Sequence, residues 1–220
     1  MKLETIARQR LFNQRLIAST LRHPAEVVQW LGAAQAQDYA GAKWSLGMRL
    51  DPAASTVSDA AVEQAFDAGA ILRTHVLRPT WHFVAPSDIR WLLALTAPRV
   101  HLLNATYYRR VGLDDDLYVR AREVLIQALA GRTYLTREEL RQAFDAARIA
   151  ADVELRLIYI LMRAELDGLI CSGPRRGKQF TYALLDERVP STAPLGREEA
   201  LAELARRYFT SHGPATAHDL

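Results

Sequence analysis

Apolar residues recur every three or four positions along most of the chain, a spacing that predicts a protein built mainly from amphipathic helices. In the first half the pattern predicts helices over residues 5–20, 25–37, 43–50 and 59–67, and Ser58 is a suitable N-cap for the last of them. Residues 71–74 and 80–84 are rich in β-branched and aromatic side chains and flank a short connector. Such a pair of runs predicts a β-hairpin.

The same order of elements is predicted again after the acidic run at residues 114–116. A helix over residues 117–130 is followed by a capping box at Thr136, which opens a second helix, and by a third helix over residues 152–166. A strand, a turn and a strand follow Gly168. Because helix, helix, helix and hairpin occur twice, the sequence predicts tandem related units. The predicted fold class is mainly α with small β-hairpins (α+β), with tandem winged-helix units at residues 1–112 and 113–189 and a third, truncated unit at residues 195–220.

The second unit has the pattern of a winged helix, in which a helix and a hairpin contact DNA. Arg156, Tyr159 and Arg163 share a helical face away from the apolar face, so they are predicted to point outward and contact phosphates. Arg175, Arg176 and Lys178 lie in the predicted hairpin turn, where cations can straddle a phosphate backbone. The alternative is an ordinary solvated turn. With no exposed Asn or Gln on the helix, phosphate and shape contacts are expected rather than base reading.

Gln35 and Gln37 form an unusual pair of amides after a helix that carries few other polar groups. Residues two apart do not share a helical face, so the two amides can converge only if the backbone bends, and Gly41 is predicted to allow it. The structural alternative is that one glutamine caps or bridges backbone groups.

The first hairpin is rich in cations and aromatics, namely Arg73, His75, Arg78, Trp81 and His82. In a hairpin of the core, successive side chains point to opposite faces, so some of these residues would be buried, and Trp81 is the one most expected to be buried. In a hairpin that reaches into a DNA groove, Arg73, His75 and Arg78 would be presented instead. The pattern leaves both arrangements open.

Composition narrows the function classes. The formal net charge is +3, from 28 Lys and Arg against 25 Asp and Glu, so a nucleic-acid surface requires local clustering. The single cysteine, Cys171, excludes an internal disulfide and a multi-thiolate metal site, and the six histidines lack metal-ligand spacing. No glycine-rich phosphate loop or serine nucleophile elbow is present. No metal or cofactor is expected.

Without a signal peptide or an apolar run of about 18 residues, the expected location is the cytoplasm.

Three segments together resemble the AlkZ-like family, which comprises bacterial winged-helix DNA glycosylases that unhook interstrand crosslinks. They are Gln35-Ala36-Gln37-Asp38-Tyr39, then Arg73-Thr74 with Leu77-Arg78-Pro79-Thr80-Trp81-His82-Phe83-Val84, and Ser211-His212-Gly213-Pro214-Ala215-Thr216. The resemblance implies tandem winged helices around DNA, catalytic Gln35 and Gln37, and a duplex-contacting hairpin at residues 73–81. Family chains continue past the last segment, so a third winged helix is expected to be missing here.

The implied activity is hydrolysis of the N-glycosidic bond of N7-alkylated or crosslinked purines in duplex DNA. Glutamine is a poor base, but its amide can hold a water, which suffices when the leaving purine already carries a positive charge. Asp38 could support the cationic sugar, although an N-cap or surface role is the simpler expectation, and Trp81 and His82 are possible supporting residues. The expected partner is double-stranded DNA, bound in the nucleoid by a monomer. The alternatives are a non-enzymatic DNA-binding regulator and a protein-interaction module.

Overall fold

The computed structural model of the chain describes residues 3–54, 57–151, 155–191 and 193–219. In the first half the elements follow one another as α1 (Leu3–Asn13), α2 (Pro24–Leu31), β1 (Ala33–Gln35), α3 (Tyr39–Gly47), α4 (Asp59–Asp67), β2 (Leu72–His75), β3 (Trp81–Val84) and α5 (Ile89–Arg110). In the second half they are α6 (Asp115–Leu129), β4 (Leu135–Thr136), α7 (Arg137–Ala146), α8 (Arg156–Leu166), β5 (Ile170–Ser172), β6 (Thr181–Leu184), α9 (Leu185–Arg188) and α10 (Arg197–His212). The predicted class, mainly α with small β-hairpins (α+β), is confirmed, since helices dominate and the strands are short.

The strands form two small antiparallel sheets with the same topology. Their strand orders are β1–β3–β2 and β4–β6–β5. The register pairs Gln35 with His82 in the first sheet and Cys171 with Ala183 in the second. In each half a helix precedes the first strand, two helices separate it from the second, and the last two strands form a hairpin. The helix–helix–helix–hairpin order predicted from sequence therefore occurs twice, with one short strand added to each copy.

Two helix starts follow directly from capping side chains. Ser58 Oγ accepts from the Ala61 N–H at 3.1 Å and begins α4 at the predicted position. At the start of α7, Thr136 Oγ1 accepts from the Glu139 N–H at 3.3 Å, while the Glu139 carboxylate accepts from the Thr136 N–H at 2.7 Å. This reciprocal pair satisfies backbone donors that have no partner inside the helix. Both predicted caps are confirmed.

Four predicted helices differ from those observed. The helix predicted over residues 43–50 begins four residues earlier and is observed as α3 (Tyr39–Gly47). The helix predicted over residues 25–37 ends at Leu31, because Gly32 has φ +80, and the chain continues as strand β1. The helix predicted over residues 5–20 ends at Asn13, and Arg15 and Ala18 both have positive φ angles. The helix predicted from residue 152 is observed from Arg156, and residues 152–154 of the prediction lie outside the described residues.

The two halves share part of their core. One buried cluster lies in the first half around Phe66 and Phe83, and another lies in the second half around Phe144. A third cluster joins Leu72 of β2 to Leu185 of α9. Since β5 and α8 pack against β2, all four residues of this strand are buried. The strand is covered by its own sheet and helices on one side and by the second half of the chain on the other.

Helix α10 packs against α1, α2 and α5. Arg207 of α10 pairs with the buried Asp88, with Nη2 and Oδ1 3.0 Å apart. Asn13 and Arg10 donate to the backbone carbonyls of Gly213 and Pro214, each at 2.8 Å. Residues 197–214 are thus anchored on the first half of the chain. Within the described ranges, every helix is too short or too polar to cross a membrane.

Candidate functional site

Gln35 and Gln37 lie on the same side of an extended segment that follows α2. Both side chains are exposed, whereas Ala36 between them is fully buried. Side chains two residues apart share a face in an extended chain, which explains this alternation. The predicted bend at Gly41 is wrong, because the backbone leaves its helix at Gly32 and Gly41 lies inside α3.

Hydrogen bonds to β3 fix the segment that carries the two glutamines. The Ala36 N–H donates to the Trp81 carbonyl at 2.8 Å, and the Trp81 N–H donates to Oε1 of Gln37 at 3.3 Å. This second bond is the backbone bridge offered above as the structural alternative for one glutamine. Within the described ranges, the side-chain nitrogen of Gln37 and both polar atoms of the Gln35 side chain have no hydrogen-bond partner. These groups can therefore bind a water or a substrate atom from the solvent side.

Asp38 is the N-cap of α3. Its carboxylate accepts from the Gly41 N–H at 3.1 Å, and a Cβ at Gly41 would lie 2.4 Å from Oδ2. Asp38 and Gly41 thus form a local turn that starts the helix directly after the glutamine pair. The N-cap role foreseen for Asp38 is the one observed.

The hairpin of β2 and β3 lies mostly in the interior. Arg73, His75 and His82 are buried, Trp81 is partly buried, and Arg78 in the connecting turn is exposed. Of the two arrangements that the sequence left open, the core hairpin is therefore the one observed for Arg73 and His75. The second half of the chain covers them, and only Arg78 of the groove-facing set reaches solvent.

Arg73 is enclosed by aromatic rings. Its guanidinium carbon lies 4.2 Å from the ring centroid of Trp81 and 4.4 Å from that of Phe180. Its Nε donates to the Ala36 carbonyl at 3.1 Å, and its backbone N–H donates to Ser172 Oγ at 2.8 Å. Burial lowers the pKa of Arg73 to about 10, so it remains a cation at neutral pH. Arg73 thus connects the glutamine segment with the second sheet.

Two buried histidines flank this cation. His75 Nδ1 donates to the carboxylate of Glu165 in α8, and both residues are buried. His82 Nδ1 donates to the Thr80 carbonyl at 2.9 Å. Burial lowers the pKa of His82 to about 4, and the charge of Arg78 adds to this effect. His82, which pairs with Gln35 in the sheet, is therefore neutral at physiological pH.

The three residues predicted on the outward face of α8 all have partners within the protein. Arg156 donates to two backbone carbonyls, at 2.6 and 2.8 Å. The Tyr159 ring stacks on Tyr107 with centroids 5.4 Å apart, and Arg163 Nη2 lies 2.7 Å from Asp115 Oδ1. All three residues are half-buried, because this helix packs against α5. Contact of these residues with DNA stays a prediction.

The three cations of the second hairpin differ in their surroundings. Arg175 is held over the rings of Tyr39 and Phe180, at 4.8 and 4.5 Å, and 13% of its side chain is exposed. Arg176 is exposed and pairs with a glutamate of α7 at 2.6 Å. Lys178 is exposed and has no ion pair within the described ranges. The turn therefore presents Arg176 and Lys178 to solvent, but not Arg175.

Several residues of the site are not among those predicted from the sequence. Arg137 and Arg141 of α7 line a groove of about 480 Å³ together with Lys178. Arg137 and Arg141 are four residues apart at the start of a predicted helix, a spacing that places both side chains on one face and could have identified them as a pair. Glu165 follows Leu161 by four residues and lies on the buried face of α8. Because a carboxylate is rarely buried without a partner, its place in this apolar pattern indicated a buried partner. That partner, His75, is ninety residues away in the sequence.

Comparisons with known proteins agree with this architecture. The chain matches the family described as DNA glycosylase AlkZ-like over residues 28–220. It is 26% identical over 215 residues to the interstrand DNA cross-link repair glycosylase of Streptomyces sahachiroi, covering 94% of this chain and 56% of the relative. The structure of Streptomyces sahachiroi DNA glycosylase AlkZ superimposes with a TM-score of 0.78 at 25% identity, over 94% of this chain and 56% of that one. The chain thus spans about half the length of the relatives it matches. Since the family match extends over most of the chain, the protein belongs to the AlkZ-like DNA glycosylase family.

Proposed function

We propose that this chain carries the catalytic glutamines of a DNA glycosylase that hydrolyses the N-glycosidic bond of N7-alkylated or crosslinked purines in duplex DNA. The observation that carries this proposal is the placement of Gln35 and Gln37. Both amides are exposed on one side of a segment whose central residue, Ala36, is buried and hydrogen-bonded to β3. The relative named as a cross-link repair glycosylase supports the choice of reaction.

The chemistry suits neutral amides. An N7-alkylated purine carries a positive charge and leaves as a neutral base, so the enzyme need not protonate it. What remains is to hold a water near the sugar carbon and to favour the oxocarbenium-like transition state. The amide oxygens of Gln35 and Gln37 can accept from such a water, and the oxygen of Gln37 is already oriented by the Trp81 N–H.

The proposed DNA contacts are the cations of the two hairpins that the fold leaves exposed, which are Arg78, Arg176 and Lys178. The groove that Lys178 lines with Arg137, Arg141 and Glu138 adjoins these residues, and in it Arg141 is paired with Glu138. Arg73 and Arg175 are not included, because aromatic rings enclose their guanidinium groups. Contact of Arg156, Tyr159 and Arg163 with DNA remains a separate prediction. Phosphate contacts of this kind position the duplex without reading its sequence.

The two repeated sheet-and-helix arrangements support an interpretation as winged helices. We place their boundaries at residues 1–112 and 113–189, and α10 at the start of a further unit within residues 195–220. In this interpretation the second hairpin is the wing, and the chain binds duplex DNA as a monomer. A single mass near 24.7 kDa by light scattering would support the monomer.

The decisive experiment incubates the protein with duplex DNA that contains N7-methylguanine or an N7-linked crosslink and then detects abasic sites. Gln35→Ala and Gln37→Ala should each lower the single-turnover rate by about 10²-fold or more, since a mispositioned water costs about that much. Gln127→Ala, an exposed glutamine on α6, is the matched control and should keep the rate of the unmodified protein. If both catalytic-site variants retain that rate, the assignment of the glutamines is wrong.

The second candidate function is non-enzymatic DNA binding, which the exposed cations Arg78, Arg176 and Lys178 would serve equally well. It predicts binding that weakens with salt but no excision of any N7-alkylated purine. The same assay therefore separates the two functions.

A further inference from the structure

Arg73 is a buried cation whose immediate partners are rings and a carbonyl rather than a carboxylate. Arg73 is 7% exposed, and no ion pair within the described ranges includes it. Trp81 and Phe180 lie on its guanidinium at 4.2 and 4.4 Å. Burying a cation away from water is unfavourable unless other interactions compensate. The contacts that Arg73 makes therefore indicate what keeps it in place.

The single hydrogen bond of the guanidinium that the structure describes goes to the residue between the two glutamines. Arg73 Nε donates to the Ala36 carbonyl at 3.1 Å, while the Ala36 N–H donates to the Trp81 carbonyl at 2.8 Å. Both backbone polar groups of Ala36 are thus satisfied by the hairpin of β2 and β3. The backbone between the two glutamines is therefore fixed by β2 and β3.

We infer that Arg73 is a positioning residue that orients the side chains of Gln35 and Gln37 by holding the Ala36 carbonyl. The inference rests on the proposed function of these glutamines. It replaces DNA contact as the role of Arg73, because its guanidinium is enclosed by two rings and can reach little of the solvent. A water held by two amides must be placed to within about 1 Å for efficient reaction, so loss of this hydrogen bond slows excision.

The second half of the chain takes part in this positioning. Phe180 supplies one of the rings that enclose Arg73, and Ser172 Oγ accepts from the Arg73 backbone N–H at 2.8 Å. The orientation of the glutamine pair therefore depends on residues 113–189 being in place. The first hairpin then acts in catalysis through Arg73, while its turn carries the exposed Arg78.

The test compares three variants of the full chain that remain folded by circular dichroism. Arg73→Met removes the donor and keeps an apolar stem, and Arg73→Lys keeps a charge and a donor. Arg188→Met is the matched control, because Arg188 also donates to a backbone carbonyl of the other half, that of Phe66 at 3.0 Å, but makes no described hydrogen bond to residues 35–37. Single-turnover excision of N7-methylguanine and the Kd for the same duplex are measured for each.

Arg73→Met should slow excision by about tenfold or more while the Kd changes by less than about threefold, because positioning acts on the reacting geometry rather than on affinity. Arg73→Lys should restore most of the rate, and Arg188→Met should keep it. Three results overturn the inference: an unchanged rate in Arg73→Met, an affinity loss equal to its rate loss, or an equal rate loss in Arg188→Met.

Hydrogen exchange of the Ala36 amide separates this inference from the proposed function. In Arg73→Met this N–H should exchange at least about tenfold faster than in the unmodified chain, whereas in Arg73→Lys it should stay protected. If the unmodified chain excises nothing, the proposed function fails, and the exchange rates alone decide whether Arg73 holds the segment. Unchanged exchange in Arg73→Met overturns the positioning role whatever the activity is.

Discussion

Lowering the pH should destabilise the protein through His82. Burial lowers the pKa of this histidine to about 4, from the ordinary value of 6.5 that applies to the unfolded chain. Below pH 6.5 the unfolded chain binds a proton that the folded protein does not, so stability falls as the pH is lowered from about 6.5 to about 4. At about 1.4 kcal/mol per pKa unit, this displacement corresponds to about 3 kcal/mol of unfolding free energy.

The assay is urea unfolding, followed by far-ultraviolet circular dichroism, at pH 7.5 and pH 4.5. The variant His82→Gln cannot titrate, and its amide can still donate to the Thr80 carbonyl that His82 Nδ1 contacts. Carboxylates elsewhere titrate equally in both proteins, so the difference between them isolates His82. For a denaturant slope of about 3 kcal/mol per molar, the midpoint of the unmodified protein should fall by about 1 M more than that of the variant.

An exposed histidine provides the control. His218→Gln should give the same pH dependence as the unmodified protein, because His218 is exposed near the end of the described residues. If the unmodified protein and His82→Gln lose stability in parallel between pH 7.5 and 4.5, burial of a neutral His82 is not a source of acid sensitivity.

Three further predictions concern folding stability. Glu165→Met should cost about 1–3 kcal/mol because it leaves a His75 ring nitrogen without a partner in the interior, whereas the double variant with His75→Phe should recover part of that loss in urea unfolding. Equal stability of single and double variants would contradict the pairing. Gly32→Ala should lower the free energy of unfolding by about 1–2 kcal/mol, because it places a Cβ on a residue with φ +80. Gly47→Ala is the control and should not lower it, because a Cβ at Gly47 meets open space. Thermal unfolding of the two variants compares these effects. Thr136→Ala should cost about 1 kcal/mol through loss of the α7 cap, and Tm should fall by about 2–4 °C.

Local features of the fold were predictable because their determinants lie within a few residues. Ser58 and Thr136 each accept from an N–H three residues ahead, so the starts of α4 and α7 could be assigned from short motifs. The two hairpins, the repeated order of elements and the N-cap role of Asp38 were predictable for the same reason. Resemblance in short segments then identified the family, which the match over residues 28–220 confirms.

The glutamine pair shows where local reasoning reached its limit. The sequence indicated that Gln35 and Gln37 form a unit, but a helix was predicted through them and the convergence was assigned to a bend at Gly41. Helix and strand cannot be separated by pattern over so few residues, since β1 has only three. Its identity is decided by pairing with β3, whose residues lie more than forty positions further along the chain.

Charged residues show the same division between sequence and structure. The sequence by itself determined that the two predicted hairpins carry Arg73, Arg78, Arg175, Arg176 and Lys178. Only the tertiary structure decided that Arg73, His75 and Arg175 face protein while Arg78, Arg176 and Lys178 face solvent. The physical reason is that burial of a charge requires partners, and these come from distant segments: Glu165 lies ninety residues from His75, and Ser172 lies ninety-nine from Arg73.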